Sequence, residues 1–155
     1  RNTLCIKGNN HLPGRWRRMH ECWAITDGAA GNERQALALA AHMGLPVRSL
    51  VLQPRAPWSW LAPRLTVAGR LALPAERRDL LAPPWPALAI GCGRDAALFT
   101  RLLRQLSHGQ CRSVQILDPR VDPGHWDLVV APQHDQLEGA NVLNPLGSLK
   151  PVDDN

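Results

Sequence analysis

Four polar loops hold most of the residues in this sequence that could do chemistry. They read Thr-Asp-Gly-Ala-Ala-Gly-Asn over 26–32, Gly-Cys-Gly-Arg over 91–94, Asp-Pro-Arg over 118–120 and Pro-Gln-His-Asp over 132–135. Glycine lets the backbone approach a ligand closely, Arg binds anions, and Asp and His transfer protons. Together these residue types indicate a site for a polar or anionic ligand.

The first loop combines two glycines with the start of a predicted helix. Gly28 and Gly31 permit a positive φ, and Asn32 is placed as the N-cap of a helix over 33–43. Amides at a helix amino terminus favour an anion or a hydroxylated ligand. The loop has neither the dinucleotide fingerprint nor the Lys-Ser/Thr of a P-loop. A tight structural turn explains the same residues, so the loop by itself leaves both interpretations open.

The second loop offers a thiol and a guanidinium. Cys92 lacks the G-x-S-x-G spacing of a nucleophile elbow, and Arg94 either holds an anion or is a solvated or ion-paired side chain. The four cysteines form no CxxC pair and no His stands near them at ligand spacing, which argues against a structural zinc site. Cys22 and Cys111 are expected to be buried thiols, in keeping with a reducing cytoplasm.

The last two loops also allow two interpretations each. Asp118 and Arg120 either contribute to a site or form an ion pair that braces a compact turn. His134 and Asp135 form either an acid–base pair, with the carboxylate orienting the imidazole, or a turn capped by the Asp.

The elements that must position these loops alternate between strands and helices. Because the links between helix and strand are short, the strands are expected to be parallel, and their carboxyl ends then meet at one edge of the sheet. The sequence therefore predicts an α/β fold with a Rossmann-like, doubly wound, mainly parallel sheet and all four loops on one rim. The predicted strands lie at 22–25, 47–52, 87–90, 113–117, 127–131 and 141–143, and the two clear helices at 33–43 and 95–106.

The stretch from 54 to 86 is rich in proline and the least regular third of the chain. Short helices are predicted within 58–69 and 75–81. Trp58, Trp60, Leu61 and Leu65 are predicted to share one helical face. Either that face packs on the domain, or, with arginines around it, it meets a lipid or a partner.

The chain has 155 residues, 45% of them apolar, and a formal net charge of +5. That length predicts one domain, and no apolar run is long enough to span a membrane. Five of the 18 basic residues lie in 1–18, and without them basic and acidic side chains balance, which argues against nucleic-acid binding by the folded part. We interpret 1–18 as a disordered basic leader or as added or upstream sequence before a start at Met19, 19–152 as the domain and 153–155 as a tail. Arginine in excess of lysine suggests a GC-rich, bacterial genome.

Several motifs, in this order, resemble the "mitochondrial fission, elongated-mitochondria" family of bacterial and plant proteins. The resemblance covers about residues 22–150 and implies one half of a GT-B-like architecture, the amino half of two Rossmann-like domains. The residues that carry it are Thr26-Asp27-Gly28, Ala30-Gly31-Asn32, Gln35, Pro84-Trp85-Pro86, Gly93-Arg94, the run from Gln115 to Arg120, Val130 and His134-Asp135.

The resemblance implies the acceptor-side domain of a glycosyltransferase-related protein that acts on a sugar-nucleotide or glycolipid-type substrate together with a second domain, the fragment alone being inactive. A nucleotide-sugar is the implied co-substrate, with no metal and no other cofactor. The catalytic candidates are Asp27, Asp118 and His134. The ligand-binding candidates are Thr26, Gly28, Gly31, Asn32, Gln35, Gly93, Arg94, Arg120 and Asp135.

The alternative function is a non-catalytic interaction module at a membrane surface that uses the face carrying Trp58 and Trp60. We expect a cytoplasmic protein, with peripheral contact to the inner membrane as the further option. An exposed sheet edge is also a route to a homodimer.

Overall fold

Six parallel strands form one sheet in the computed structural model of this chain, which describes residues 14–132 and 137–144. Their order across the sheet is β2-β1-β3-β4-β5-β6, and every neighbouring pair is parallel. The predicted α/β, Rossmann-like parallel sheet is confirmed. The strands are β1 (Cys22–Thr26), β2 (Val47–Val51), β3 (Leu88–Cys92), β4 (Arg112–Ile116), β5 (Leu128–Val130) and β6 (Val142–Leu143).

Two longer helices cover opposite faces of this sheet. On β1, Cys22 and Ala24 belong to the apolar cluster of one face, and Trp23 and Ile25 belong to that of the other. Because side chains alternate across a strand, β1 is buried on both faces, as in a doubly wound fold. The helices of the described chain are α1 (Gly14–Met19), α2 (Ala30–Ala41), α3 (Trp58–Leu61) and α4 (Arg94–Leu106), with 3₁₀ turns at Gly69–Ala72, Ala75–Leu81 and Pro123–His125.

The two covering helices use different side chains. Ala36 and Ala40 of α2 are fully buried and small, so α2 can lie close to the sheet. On the other face α4 buries Leu98, Phe99 and Leu102, each of which contributes about 1.5–3 kcal/mol through loss of apolar surface to water. The sheet therefore lies between two helical layers, a thin one formed by α2 and a thicker one formed by α4. The ends of the strands are not covered by these helices and carry the loops.

The direction of the chain across the sheet reverses between β1 and β3. From β1 the chain crosses to β2 on one side, and β3 then pairs with β1 on the other. The carboxyl ends of β1 and β3 therefore flank the switch point at which doubly wound folds bind ligands. Since all strands are parallel, the loops after β1, β3 and β4 share this edge. Residues 133–136 of the fourth loop lie outside the described residues.

Two predicted boundaries at this edge are wrong. Helix α2 begins at Ala30, with Ala29 at the N-cap position and no side-chain cap, so Asn32 is not the N-cap. The turn before α2 is instead closed by Asp27, whose Oδ1 accepts from the Ala29 amide at 3.0 Å. Gly91 was expected in a turn, but it pairs with Gln115 inside the sheet. The glycine turn therefore starts later than its sequence suggests.

The amino-terminal part of the described chain differs from the expected disordered leader. Helix α1 reaches back to Gly14, and Arg18 contacts the domain. Its guanidinium pairs with Asp79 at 3.2 Å and lies 5.6 Å from the centre of the Trp23 ring. Residues 1–13 lie outside the described residues.

The predicted apolar face within residues 58–69 is not one face. Helix α3 ends at Leu61, where Ala62 turns extended, so Leu65 does not continue it. Trp58 packs against the core and donates its indole N–H to the Val67 carbonyl at 3.0 Å, whereas 73% of Trp60 is exposed. In the described part of the chain, no helix has the length and apolarity that crossing a membrane requires.

Candidate functional site

The loop after β1 is a tight turn built on Asp27. Its Oδ1 accepts from the Ala29 amide at 3.0 Å and from Asn32 Nδ2 at 3.2 Å. The hydroxyl of buried Thr26 accepts from the Gly28 amide at 3.3 Å, and Gly28 has a φ of 97°. This loop therefore needs its glycine at position 28 and engages the Asp27 carboxylate in structural hydrogen bonds.

Asn32 joins the ends of β1 and β3. While its amide nitrogen donates to Asp27, its Oδ1 lies 3.4 Å from the Cys92 thiol. A Cβ atom on Gly93 would lie 2.7 Å from Asn32 Nδ2. The Asn32 side chain therefore fills the crevice at the switch point, and open space at the rim lies farther toward β4.

A buried polar network fixes the start of α4. The Gly93 carbonyl accepts from Gln115 Nε2 at 2.9 Å, and Gln115 Oε1 lies 3.2 Å from the Thr100 hydroxyl. The same hydroxyl accepts from the Trp126 indole N–H at 2.8 Å. All three side chains are buried, so the network holds Gly93 in place against the rim. In the sequence, this network is indicated only by two polar residues at otherwise apolar positions, Gln115 in a strand and Thr100 on a helix face.

A cavity of about 430 Å³ opens beside the ends of β3 and β4. The Asp118 carboxylate on its wall accepts from the Arg120 amide at 2.8 Å and lies 3.9 Å from the Arg120 guanidinium, so the predicted bracing pair is present. The Arg120 side chain is 83% exposed, while that of Asp118 is 17% exposed. Arg94 donates to the Ser59 carbonyl, which turns the guanidinium toward α3. The wall also includes Trp60, Leu61, Ala62, Pro63, Arg64 and Pro119.

The structure brings some of the candidate residues together and leaves others apart. Arg94, Asp118 and Arg120 share the cavity. Gly31 lies within α2, where a Cβ would meet no atom within 4 Å, so it makes no close approach in this structure. Gln35 is half-buried farther along the same helix. His134 and Asp135 lie outside the described residues.

Two residues of the cavity wall, Trp60 and Arg64, are not among the site candidates that the sequence indicates. In the sequence, Trp60 fits a face that packs on the domain or meets a membrane, and Arg64 is one of several arginines around that face. Both line the cavity because α3 and the segment after it lie over the end of β4. Ser59, Trp60 and Arg64 lie close together in the sequence, but no local pattern relates them to the loops that follow the strands.

The three thiols of the described chain, Cys22, Cys92 and Cys111, are unsuited to nucleophilic chemistry. Burial, with a smaller contribution from the charge of Asp27, raises the pKa of Cys92 to about 12. Burial likewise raises the pKa values of Cys22 and Cys111 to about 12. A neutral thiol is a poor nucleophile and a poor metal ligand. Among the described residues no group of three His, Cys, Asp or Glu side chains is arranged to hold a metal ion.

Comparison with known protein families gives a match over most of the chain. A family model for mitochondrial fission ELM1 proteins matches residues 30–155, which include β2 to β6 and the whole wall of the cavity. The Thr26-Asp27-Gly28 turn lies just before the matched segment. No curated protein and no solved structure matches the chain. Because the match covers well over half of the sequence, the chain belongs to the mitochondrial fission ELM1 family.

Proposed function

We propose that this domain forms the acceptor side of a GT-B-like glycosyl-transfer site, and that the cavity beside β3 and β4 binds a phosphorylated saccharide of the glycolipid type. The observation that carries the proposal is the make-up of the cavity wall. It combines one exposed indole, from Trp60, with three guanidinium groups, from Arg64, Arg94 and Arg120, and one carboxylate, from Asp118. The indole could contact a sugar ring, the guanidinium groups could bind a group with several negative charges, and the carboxylate could accept from a hydroxyl.

The chemistry of each wall group supports a phosphorylated sugar. The indole of Trp60 offers a flat apolar surface for the C–H face of a sugar ring, with a polar edge. The arginines carry forked donors that match phosphate oxygens. Neither Arg64 nor Arg94 forms an ion pair within the described chain, so both retain charge for a ligand.

Asp118 is the general-base candidate of this site. In the proposed transfer, the acceptor oxygen attacks the anomeric carbon of the donor sugar while its proton passes to the Asp118 carboxylate. The bond from that carbon to the donor phosphate breaks, and the phosphate leaves with the electron pair. Asp27 is less suited to this role because its Oδ1 accepts two structural hydrogen bonds. The donor nucleotide-sugar would lie mainly on a second Rossmann-like domain, as the GT-B resemblance implies.

The proposal is tested by titrating the protein with glucose 1-phosphate and, separately, with glucose, with calorimetry and NMR measuring the binding. We expect saturable binding of the phosphate ester only, weakened about tenfold by Trp60→Ala and by Arg94→Gln, since each loses a contact worth about 1.4 kcal/mol. Arg34→Gln, an exposed change on α2, is the control and leaves binding unchanged. Binding of glucose 1-phosphate that survives both cavity variants would contradict the proposal.

Catalysis is tested separately with the full-length protein. Asp118→Asn is expected to keep binding within a few-fold and to lower sugar transfer from a nucleotide-sugar by 10²-fold or more, the usual contribution of a general base. Transfer at the wild-type rate would remove Asp118 from the mechanism.

A membrane-surface module is the second candidate function. Trp60 and Leu61 are 73% and 50% exposed and lie beside Arg64, a combination typical of interfacial contacts. Co-sedimentation with anionic vesicles that depends on Trp60 but not on Asp118 would favour this function over sugar transfer.

A further inference from the structure

A second cavity, of about 460 Å³, lies beside the carboxyl-terminal half of α4. None of the residues that line it also lines the rim cavity, although Arg101 donates to the carbonyl of Pro63 on the rim cavity's wall. Within the described chain its wall has two arginines, two histidines and two neutral polar side chains, but no carboxylate. These six are Arg101, Arg104, His108, His125, Thr66 and Gln105.

The two arginines retain capacity for an anion. Arg101 donates to the Pro63 carbonyl at 2.8 Å and forms no ion pair with any described residue. The Nε of Arg104 is buried and lies 3.4 Å from Asp127 Oδ1, at ion-pair distance but without a hydrogen bond, while Nη1 of Arg104 donates to the Gly124 carbonyl at 3.2 Å. The same carboxylate also pairs with Arg112 and accepts from the Ser113 amide. The Asp127 carboxylate is thus shared by three partners, the guanidinium groups of Arg104 and Arg112 and the Ser113 amide.

His125 reports the positive potential of this cavity. Burial is the main cause that lowers the pKa of His125, and the positive charges of Arg101 and Arg104, both on α4, also lower it. The negative charge of Asp122, next to the same 3₁₀ turn as His125, acts in the opposite direction. Asp122 is already engaged by the Gly124 amide at 2.9 Å. A bound anion would reverse this effect, because it would favour the protonated imidazole.

An apolar hollow of about 440 Å³ adjoins the cationic cavity and shares Thr66 and Gln105 with it. Val67 is 75% exposed and Leu71 is 46% exposed along its wall, next to Leu106. Apolar side chains at this degree of exposure favour a contact that covers them. A charged cavity that continues into an apolar hollow matches a ligand with a charged head and a hydrocarbon part.

We propose that these two adjoining cavities bind a phosphorylated amphiphile, with its phosphate between Arg101, Arg104 and His125 and its hydrocarbon chain against Val67 and Leu71. The shared chemistry is a phosphate monoester on an apolar chain, as in phosphatidic acid. The site is separate from the rim cavity and does not depend on the function proposed for it.

The site is tested in solution with inorganic phosphate and with dihexanoyl phosphatidic acid, followed by NMR of the histidine rings. We expect both ligands to raise the pKa of His125 and to leave the ring resonances of His42, an exposed residue directly after α2, in place. Dihexanoyl phosphatidic acid is expected to bind at least tenfold more tightly than inorganic phosphate, because a few buried methylene groups supply that factor. Dihexanoyl phosphatidylcholine, whose phosphate is a diester carrying a choline cation, is expected to bind at least tenfold more weakly than dihexanoyl phosphatidic acid.

Variants separate the two halves of the proposed site. Arg101→Gln combined with His125→Gln should weaken binding of both phosphate ligands at least tenfold. Val67→Ser combined with Leu71→Ser should remove only the advantage of the amphiphile over inorganic phosphate. Because both changes in the second variant are at exposed positions, folding is expected to persist, as circular dichroism can show. Arg34→Gln is the matched control.

Three results would overturn the proposal. The first is no change at His125 with either phosphate ligand in the wild-type protein. The second is unchanged affinity in the Arg101 and His125 variant. The third is equal affinity for inorganic phosphate and dihexanoyl phosphatidic acid, which would leave a plain anion site. Flotation with vesicles containing phosphatidic acid, compared with pure phosphatidylcholine vesicles, then shows whether the amphiphile is also recognised within a bilayer.

Discussion

The side chain of Asn32 occupies the space that a side chain on Gly93 would need, since a Cβ atom at position 93 would lie 2.7 Å from Asn32 Nδ2. Asn32 lies in the first turn of α2, after β1, and Gly93 lies directly after β3, so the two residues stand on either side of the switch point. Asn32 is held there by Asp27 and the Cys92 thiol. The lack of a side chain at Gly93 therefore leaves room for that of Asn32.

Replacement of Gly93 should destabilise the fold. Gly93 has φ 97° and ψ 171°, a region that is essentially restricted to glycine, so Gly93→Ala is expected to cost about 1–3 kcal/mol from strain alone. Gly31→Ala is the matched control, because Gly31 lies in α2 with open space around it and should gain about 0.5–1 kcal/mol. Urea unfolding measures both. Equal effects of the two changes would contradict this account.

Loss of the Thr100 hydroxyl should leave the buried network incomplete. Thr100→Val removes the partner of the Trp126 indole N–H and of Gln115, and is expected to lower the free energy of unfolding by about 1–3 kcal/mol. Thr100→Ser keeps the hydroxyl and loses one buried methyl group, at about 0.8 kcal/mol. Chemical denaturation ranks the two variants. A Val variant more stable than the Ser variant would show that the network contributes little.

Trp58 and Trp60 should differ in their effect on stability. Trp58 packs on the core and donates to Val67, so Trp58→Ala is expected to cost about 2–4 kcal/mol. Trp60 is 73% exposed, and Trp60→Ala should change stability by no more than about 0.5 kcal/mol. Thermal unfolding of the two variants provides the measurement. A comparable loss in both would mean that Trp60 is part of the core and not a free surface of the cavity.

Stability should fall at alkaline pH. Burial raises the pKa values of Cys22, Cys92 and Cys111 from 9.0 to about 12, so between these values the folded protein retains protons that the unfolded chain releases. The thiol contribution is therefore fully present below pH 9 and is lost as pH rises toward 12, by up to about 1.4 kcal/mol per pH unit for each thiol.

Tyrosine and lysine side chains also titrate at alkaline pH and would obscure the effect of the thiols. This chain contains no tyrosine and only two lysines, Lys7 and Lys150, so the thiol effect can be isolated. Urea unfolding at pH 8, 9 and 10 measures the slope, and Cys92→Ala should reduce it by the share of one thiol. In the native protein at pH 8, iodoacetamide should leave these three cysteines unmodified. Rapid alkylation of Cys92 would show that its thiol is accessible and ionised.

The sequence was sufficient for the strands and for the rim, for a local reason. Strands such as β1 are apolar on both faces because both are covered by helices, and short helix-to-strand links require parallel pairing. Local signals were less sufficient at element ends. The Asx turn of Asp27 allows α2 to start before Asn32, and hydrogen bonding to β4 keeps Gly91 within the sheet.

The sequence by itself determined where the six strands and the two longer helices lie, and that the loops after β1, β3 and β4 share the carboxyl edge, because periodicity and turn chemistry are properties of neighbouring residues. Only the tertiary structure decided which distant side chains meet. It placed Asn32 against Cys92, brought Trp60 and Arg120 to the wall of one cavity, and brought His125 and Arg101 to the wall of another. Such contacts depend on strand order and on how helices and loops pack across the sheet, and no local pattern in the chain encodes them.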